Sequence, residues 1–251
     1  EFLPIPGIRS KREDQGDKYK CALALMLEIM NQARRPIYAS DAHQWNHCVR
    51  LAWFLFHPPR GVSVDDDRFS QLLKTMGNEH EAAILATFEQ SVTAESVAHT
   101  HMLISEQAPL IYQPQFYDEY RDIKATPDFL ILTPEGYQVA DAKLATSVDK
   151  NRSIKTQLGV YQQLSNTELP PIVFLGDGEA VTLGEEVHDL ANRFVEEMTA
   201  ISQQQEMPDT HFGFSKCQGC EFQAHCAEGF EQRDELTLSP AIDARTATQL
   251  R

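Results

Sequence analysis

The apolar positions change period several times along the chain, and each change marks an element. Helical spacing runs from Lys18 to Ala33, from Asp41 through the aromatic stretch to Phe56, and from about Arg68 to Gln90. Short apolar, β-rich runs then take over at Leu110–Tyr117, Thr126–Leu132 and Tyr137–Lys143, each bounded by turn residues. A helix is expected around Gln157 to Tyr161, a strand at Pro171–Leu175, another at Ala180–Leu183, and a long helix from about Glu185 to Gln205. Ile37–Ala39 reads as a short strand after the break at Arg34-Arg35-Pro36, and Pro58-Pro59-Arg60-Gly61 ends the aromatic helix. Residues Glu1 to Asp17 are polar and turn-rich and read as an extended arm. Ser239 suits an N-cap and Pro240 the first helical position, so a helix is expected in the tail. Helices followed by a mixed sheet with a crossover helix predict an α/β fold.

The link Thr133-Pro134-Glu135-Gly136 joins the second and third strand runs as a hairpin. Asp141 and Lys143 lie two apart and share one face of their strand. If Asp128 lies across from them, two carboxylates and one ammonium converge. Hard oxygen donors suit Mg²⁺ or Mn²⁺, and an ammonium beside such an ion orients a water or steadies an oxyanion. Charges set in apolar strands require partners or a metal, which raises this triplet above a chance pattern.

These residues resemble the signature of the RecB-like PD-(D/E)XK nucleases: Pro127-Asp128, then Asp141-Ala142-Lys143, with His80 upstream in Gly77-Asn78-Glu79-His80 and Gln157 and Tyr161 downstream, one helical turn apart. The resemblance covers most of the chain from Tyr38 onward. It implies a restriction-endonuclease-like core, a mixed central sheet flanked by helices, with an N-terminal helical part and a C-terminal cysteine-rich segment. It further implies His80, Asp128, Asp141 and the carbonyl of Ala142 as ligands of Mg or Mn, with Asp128, Asp141, Lys143, Gln157 and Tyr161 as catalytic residues.

The chain has five cysteines. Cys217, Cys220 and Cys226 stand in a C-x2-C-x5-C pattern, a spacing suited to a shared metal. Cys48 is a candidate fourth donor, with His47 and His225 as possible substitutes. Cys21 sits in an apolar run and reads as a buried residue. One cysteine before the core and three after it is similar to RecB-like nucleases with an iron–sulfur site, including the CRISPR-associated RecB-like exonucleases and AddB nuclease domains. That resemblance implies a [4Fe–4S] cluster on Cys48, Cys217, Cys220 and Cys226; structural Zn²⁺ on the same thiolates is the alternative. An odd cysteine count and the absence of a secretion signal argue against a disulfide framework.

Composition narrows the remainder. A net charge of −15 argues against a protein that coats nucleic acid through general basicity. Lys143, Lys150, Arg152 and Lys155 nevertheless stand against a single acid, Asp149, beside the expected site. No segment approaches the ~20 apolar residues that span a bilayer, so no membrane partner and a cytoplasmic location are expected. Residues 1–36 are assigned to an arm and helix, 37–228 to the nuclease domain with its iron–sulfur segment, and 229–251 to a tail that opens a following domain. The expected function is a metal-dependent DNA exonuclease, with DNA as substrate and a helicase or other nucleic-acid-processing domain as partner. A catalytically silent nucleic-acid-binding module and a metal-bearing scaffold are the alternatives.

Overall fold

The computed structural model describes residues 35–62 and 68–250. The expected arm, the Lys18–Ala33 helix and Cys21 lie outside the described residues. From Pro36 onward the chain forms one compact unit.

Two mixed sheets organise this unit. The larger has six strands in the order β2-β3-β6-β7-β8-β9, comprising β2 (Val92–Thr93), β3 (Leu110–Tyr112), β6 (Phe129–Thr133), β7 (Gly136–Ala142), β8 (Ile172–Phe174) and β9 (Ala180–Thr182). The smaller, β1-β5-β4, is built from β1 (Ile37–Tyr38), β4 (Phe116–Asp118) and β5 (Ile123–Ala125). β6 and β7 form the expected hairpin, with Phe129 opposite Ala140 and Thr133 opposite Gly136. The two-residue tip leaves Gly136 at φ 133°, a conformation that favours glycine. β7 and β8 are parallel, joined by helix α5 (Arg152–Ser165), so this stretch is a β-α-β crossover.

Strand alternation gives the larger sheet two apolar faces. Phe129, Ala140, Ala142 and Phe174 pack beneath Ile84, Leu85 and Phe88, at and just beyond the end of helix α3 (Arg68–Leu85). Leu130, Val139 and Val173 face the other way into the main core, where α5 meets α6 (Glu186–Gln203) through Leu158, Val160, Val187, Ala191 and Phe194. Each large side chain fully buried there contributes about 1.5–3 kcal/mol of apolar transfer free energy.

Several elements depart from the sequence pattern. The aromatic helix is two helices, α1 (Ala42–His47) and α2 (Val49–Phe54), because Cys48 is extended at φ −162°, ψ 132°. The Leu110–Tyr117 run splits between the two sheets: Gln113 takes a positive φ of 50° and Pro114 has no N–H to donate, so the ladder ends at the bond from Gln113 N to Asp128 O. Helix α4 (Val97–Ser105) and strands β2 and β5 form where the sequence pattern predicts no element. α3 ends at Leu85, short of Gln90. In the tail, Ser239 follows a 3-10 turn at Leu236–Leu238, and the final helix α9 (Ala244–Leu250) is capped by Asp243, whose Oδ1 accepts from Thr246 N at 2.7 Å. The intervening cysteine segment carries α7 (Phe214–Cys217) and α8 (Gln223–Gln232); α8 crosses residue 228 without a break. Among the described residues no helix is long and apolar enough to cross a membrane.

Gly159 sets the closeness of α5 and α6. A β-carbon there would lie 2.9 Å from the Val187 carbonyl carbon and 3.0 Å from the Ala191 β-carbon, and would strike the Val187 oxygen harder still. Gly159→Ala is therefore expected to destabilise the fold by about 1–3 kcal/mol in urea unfolding, despite alanine's better helix propensity. Unchanged stability would contradict this packing.

Candidate active site and cysteine pocket

The first site forms where β6 begins and β7 ends. The Asp128 and Asp141 carboxylates each bind the backbone of the other's segment. Asp128 N donates to Asp141 Oδ1 at 3.3 Å, and Ala142 N donates to Asp128 Oδ2 at 2.7 Å. Lys143, just past the strand, keeps the ladder through N–H to Phe174 O at 2.9 Å and folds its ammonium onto Asp141 Oδ2 in an ion pair. Asp141 is only 1% exposed. The acids and the amine therefore meet on one face of the sheet, the face that α5 covers.

From α5, Gln157 donates Nε2–H to the hydroxyl of Tyr161 one turn on. Tyr161 is buried, and burial followed by the Asp141 charge holds its phenol well above its ordinary pKa, so it stays neutral. His80 comes from α3, on the opposite face. Its Nε2 lies 3.2 Å from the Phe174 carbonyl, the same oxygen that accepts from Lys143 N. This brings His80 to the margin of the site; no described hydrogen bond links it to either carboxylate.

The next residue, Glu81, was missed in the sequence. Its Oε1 accepts from Tyr112 OH at 2.7 Å and from Gln113 Nε2 at 3.1 Å. Its charge adds to that of the two aspartates at Lys143 and Tyr161. Burial, then the Glu81 hydrogen bond, pushes the Tyr112 phenol up to about 12. The visible signal was Glu81's place beside His80, but nothing in a helical Glu specifies that it faces a sheet. The basic stretch is partly spent: Lys143 pairs with Asp141, Lys155 pairs with Glu186 at 3.0 Å, and Arg152 lies over the Trp45 ring at 5.3 Å. Lys150 is exposed.

Three acids around one ammonium make protonation the electrostatic issue. Burial, then the Asp141 charge, pushes the Asp128 carboxyl up to about 8, and Lys143 only partly opposes this. Burial pulls the Lys143 ammonium down, but Asp141, Asp128 and Glu81 outweigh it and raise its pKa, so Lys143 is a cation.

The second site gathers four free thiols, Cys48, Cys217, Cys220 and Cys226, in the lining of one cavity. Cys48 reaches the cavity from the extended step between α1 and α2. Gly219, at φ 76°, supplies the left-handed step between Cys217 and Cys220. Gly213 N donates to Cys217 Sγ at 3.5 Å. Burial first, and then the closeness of the other sulfurs, raises the Cys220 thiol; burial also raises Cys226, against the charge and hydrogen bonding of Arg50. His47 and His211 line the same cavity. As the side chains stand, no group of three or more His, Cys, Asp or Glu among the described residues has the geometry of a metal site. The donor chemistry nevertheless fits a cation at each place: hard carboxylate oxygens at the first, soft sulfurs at the second.

The raised Asp128 carboxyl has a measurable consequence in metal-free buffer. The folded chain keeps its proton up to about pH 8, whereas an unfolded Asp loses it near ~3.9. Between those values the folded state holds the extra proton, so this contribution to stability is full below the unfolded pKa and is lost as pH rises through the folded one. Urea unfolding from pH 5 to 8.5 with chelator should show the gap between wild type and Asp128→Asn shifting against wild type as pH rises. A constant gap would contradict the assignment.

No family model matches the chain, and no curated protein matches it. Among solved structures, it is similar to one titled "Crystal structure of SSO0001", at 14% identity and TM-score 0.41, over 79% of this chain and 90% of that one.

Proposed function

We propose that this chain is a metal-dependent deoxyribonuclease of the RecB-like PD-(D/E)XK type, with a restriction-endonuclease-like core, acting as an exonuclease in the cytoplasm. The observation that carries the reading is the mutual clasp of Asp128 and Asp141, each accepting from the backbone beside the other. A buried carboxylate, Asp141, and a half-buried one, Asp128, held by each other's backbone form an oxygen-donor pair whose charge demands a positive partner.

In this reading Asp128 and Asp141 hold Mg²⁺ or Mn²⁺, with the Ala142 carbonyl and His80 as the further donors that the family resemblance implies. The ion supplies Lewis-acid polarisation of the phosphate and an acidified water. To hold the ion, Asp128 would have to be ionised, and the Lys143 ammonium would be free of Asp141. Lys143 then acts as a cation, because its raised pKa unsuits it as a base; it orients the attacking water and stabilises charge developing on the phosphate oxygens. Gln157 and Tyr161 act as a hydrogen-bonded pair flanking Asp141, with the neutral phenol as donor. Cys48, Cys217, Cys220 and Cys226 hold a [4Fe–4S] cluster, or Zn²⁺, and tie α2 to the C-terminal segment. DNA is the substrate and a helicase-type domain the natural partner.

A catalytically silent DNA-binding module is the second reading. The Lys143–Asp141 ion pair and the His80–Phe174 hydrogen bond favour it, since both occupy groups that a working site would use.

Labelled single- and double-stranded DNA incubated with Mn²⁺ separates the two. Cleavage should appear with the unaltered chain, and Lys143→Ala should lower it by about 10²–10³-fold or more while leaving the far-UV spectrum unchanged. Full activity in Lys143→Ala would remove that residue from the mechanism. DNA binding without cleavage by the unaltered chain would favour the silent module.

A further inference from the structure

We propose that Arg50 is the buried counter-cation of the four-cysteine pocket, a positioning residue that holds a thiolate-bound metal centre through its charge beside Cys226, with which it lines the cavity. This rests on the reading of Cys48, Cys217, Cys220 and Cys226 as ligands of one centre.

Arg50 stands two residues after Cys48 on α2 and lines the same cavity as all four sulfurs. It is 3% exposed. A guanidinium does not lose its proton in proteins, so a buried one requires an anion or a full set of acceptors. Its described partners are modest. Nε lies 3.4 Å from the Pro208 carbonyl, the nearest carboxylate oxygen of Asp209 is 3.9 Å away, and the guanidinium rests 4.9 Å from the centre of the Phe230 ring. Asp209 is largely exposed and is claimed by Arg233 at 2.9 Å. Arg233 also takes the buried Glu235 at 3.1 Å and lies 4.7 Å from the Phe230 ring centre. Phe230 thus contacts two guanidiniums, and Asp209 and Glu235 lie closer to the outer one, Arg233. On its inner side Arg50 borders the cavity that the four sulfurs line, and Cys226 borders its outer cavity as well, beside Glu228.

The charge count agrees. Four thiolates around a dication, whether Zn²⁺ or a [4Fe–4S] core in its 2+ state, leave a net charge of about −2. Placing that charge beside Leu51, Phe54 and Phe222 is costly unless a cation offsets it. Arg50 is a cation buried beside the pocket and weakly engaged elsewhere. With neutral thiols it is under-partnered, so metal loading and Arg50 stabilise each other.

The test uses the whole chain, loaded anaerobically in two arms, one with ferrous iron plus sulfide and one with Zn²⁺ alone, and follows metal transfer to a chelator. Failure of the unaltered chain to load in either arm overturns the four-thiolate reading and this one with it. In loaded protein, Arg50→Met should speed release about 10- to 100-fold, the usual effect of removing a group behind a metal ligand. Arg50→Lys, which keeps charge but loses the planar fork, should speed it several-fold. Thermal unfolding of apo and loaded forms supplies a readout that packing alone would not move: the rise in Tm on loading should shrink in the Arg50→Met chain. Release at the unaltered rate in both variants, or in Arg50→Lys if Arg50→Met does not fold, overturns the role of Arg50 while leaving the thiolate centre intact. A Tm loss of equal size with and without metal does the same.

Discussion

Two carboxylates, the buried Asp141 and the half-buried Asp128, each bound to the other's backbone, are the constraint around which the larger sheet is organised. Asp128 and Asp141 close the open end of the β6–β7 hairpin by side chain to main chain, where a ladder would otherwise supply main chain to main chain. The exchange fixes register at the strand ends and points both acids at the face covered by α5. It also concentrates negative charge where burial resists it. The structure offsets that charge in two ways, with the Lys143 ammonium and with a proton on Asp128. Glu81, reaching in from α3, adds to the demand. Under the proposed reading, a divalent cation would replace that proton as the second offset to the charge.

The cysteine pocket repeats the logic with the sign reversed. There the buried fixed charge is Arg50, and the anion is what the thiols become on losing their protons. Burial keeps Cys220 and Cys226 protonated, while Arg50 favours ionisation of Cys226. Around it, Phe230, Arg233, Glu235 and His211 form a polar and aromatic girdle that ties residues 208–235 to α2 independently of any metal. The pocket is therefore preassembled in outline, though its sulfurs do not converge on one point in this arrangement.

Much of this was legible from residue order. The hairpin, the shared face of Asp141 and Lys143 and the Gln157–Tyr161 pair follow from periods of 2 and 3.6 and from turn residues, all local rules; the grouping of Cys48 with the three later cysteines is what the family resemblance implies. What escaped was set by tertiary context. Helix α4 opens with Ser96, whose side chain accepts from His99 N at 3.1 Å, but His99 stands where a capping box would carry Glu, so the start was not recognisable. Splitting Leu110–Tyr117 between two sheets depends on one positive φ at Gln113, which an ordinary side chain does not announce. The extended Cys48 interrupts an unbroken helical pattern for the same reason. The carboxylates were legible because acids inside apolar strands are rare; Glu81 and Arg50 were not, because charged residues on helices are common and only packing selects those that turn inward.

The most direct measurement is a titration of the metal-free chain with Mn²⁺, following the electron paramagnetic resonance of the free ion. The account predicts saturable binding of an ion that is lost in Asp141→Asn and strongly weakened in Asp128→Asn, each with its fold intact. Absence of saturable binding, or binding untouched by both substitutions, would contradict the claim that these two acids form a cation site.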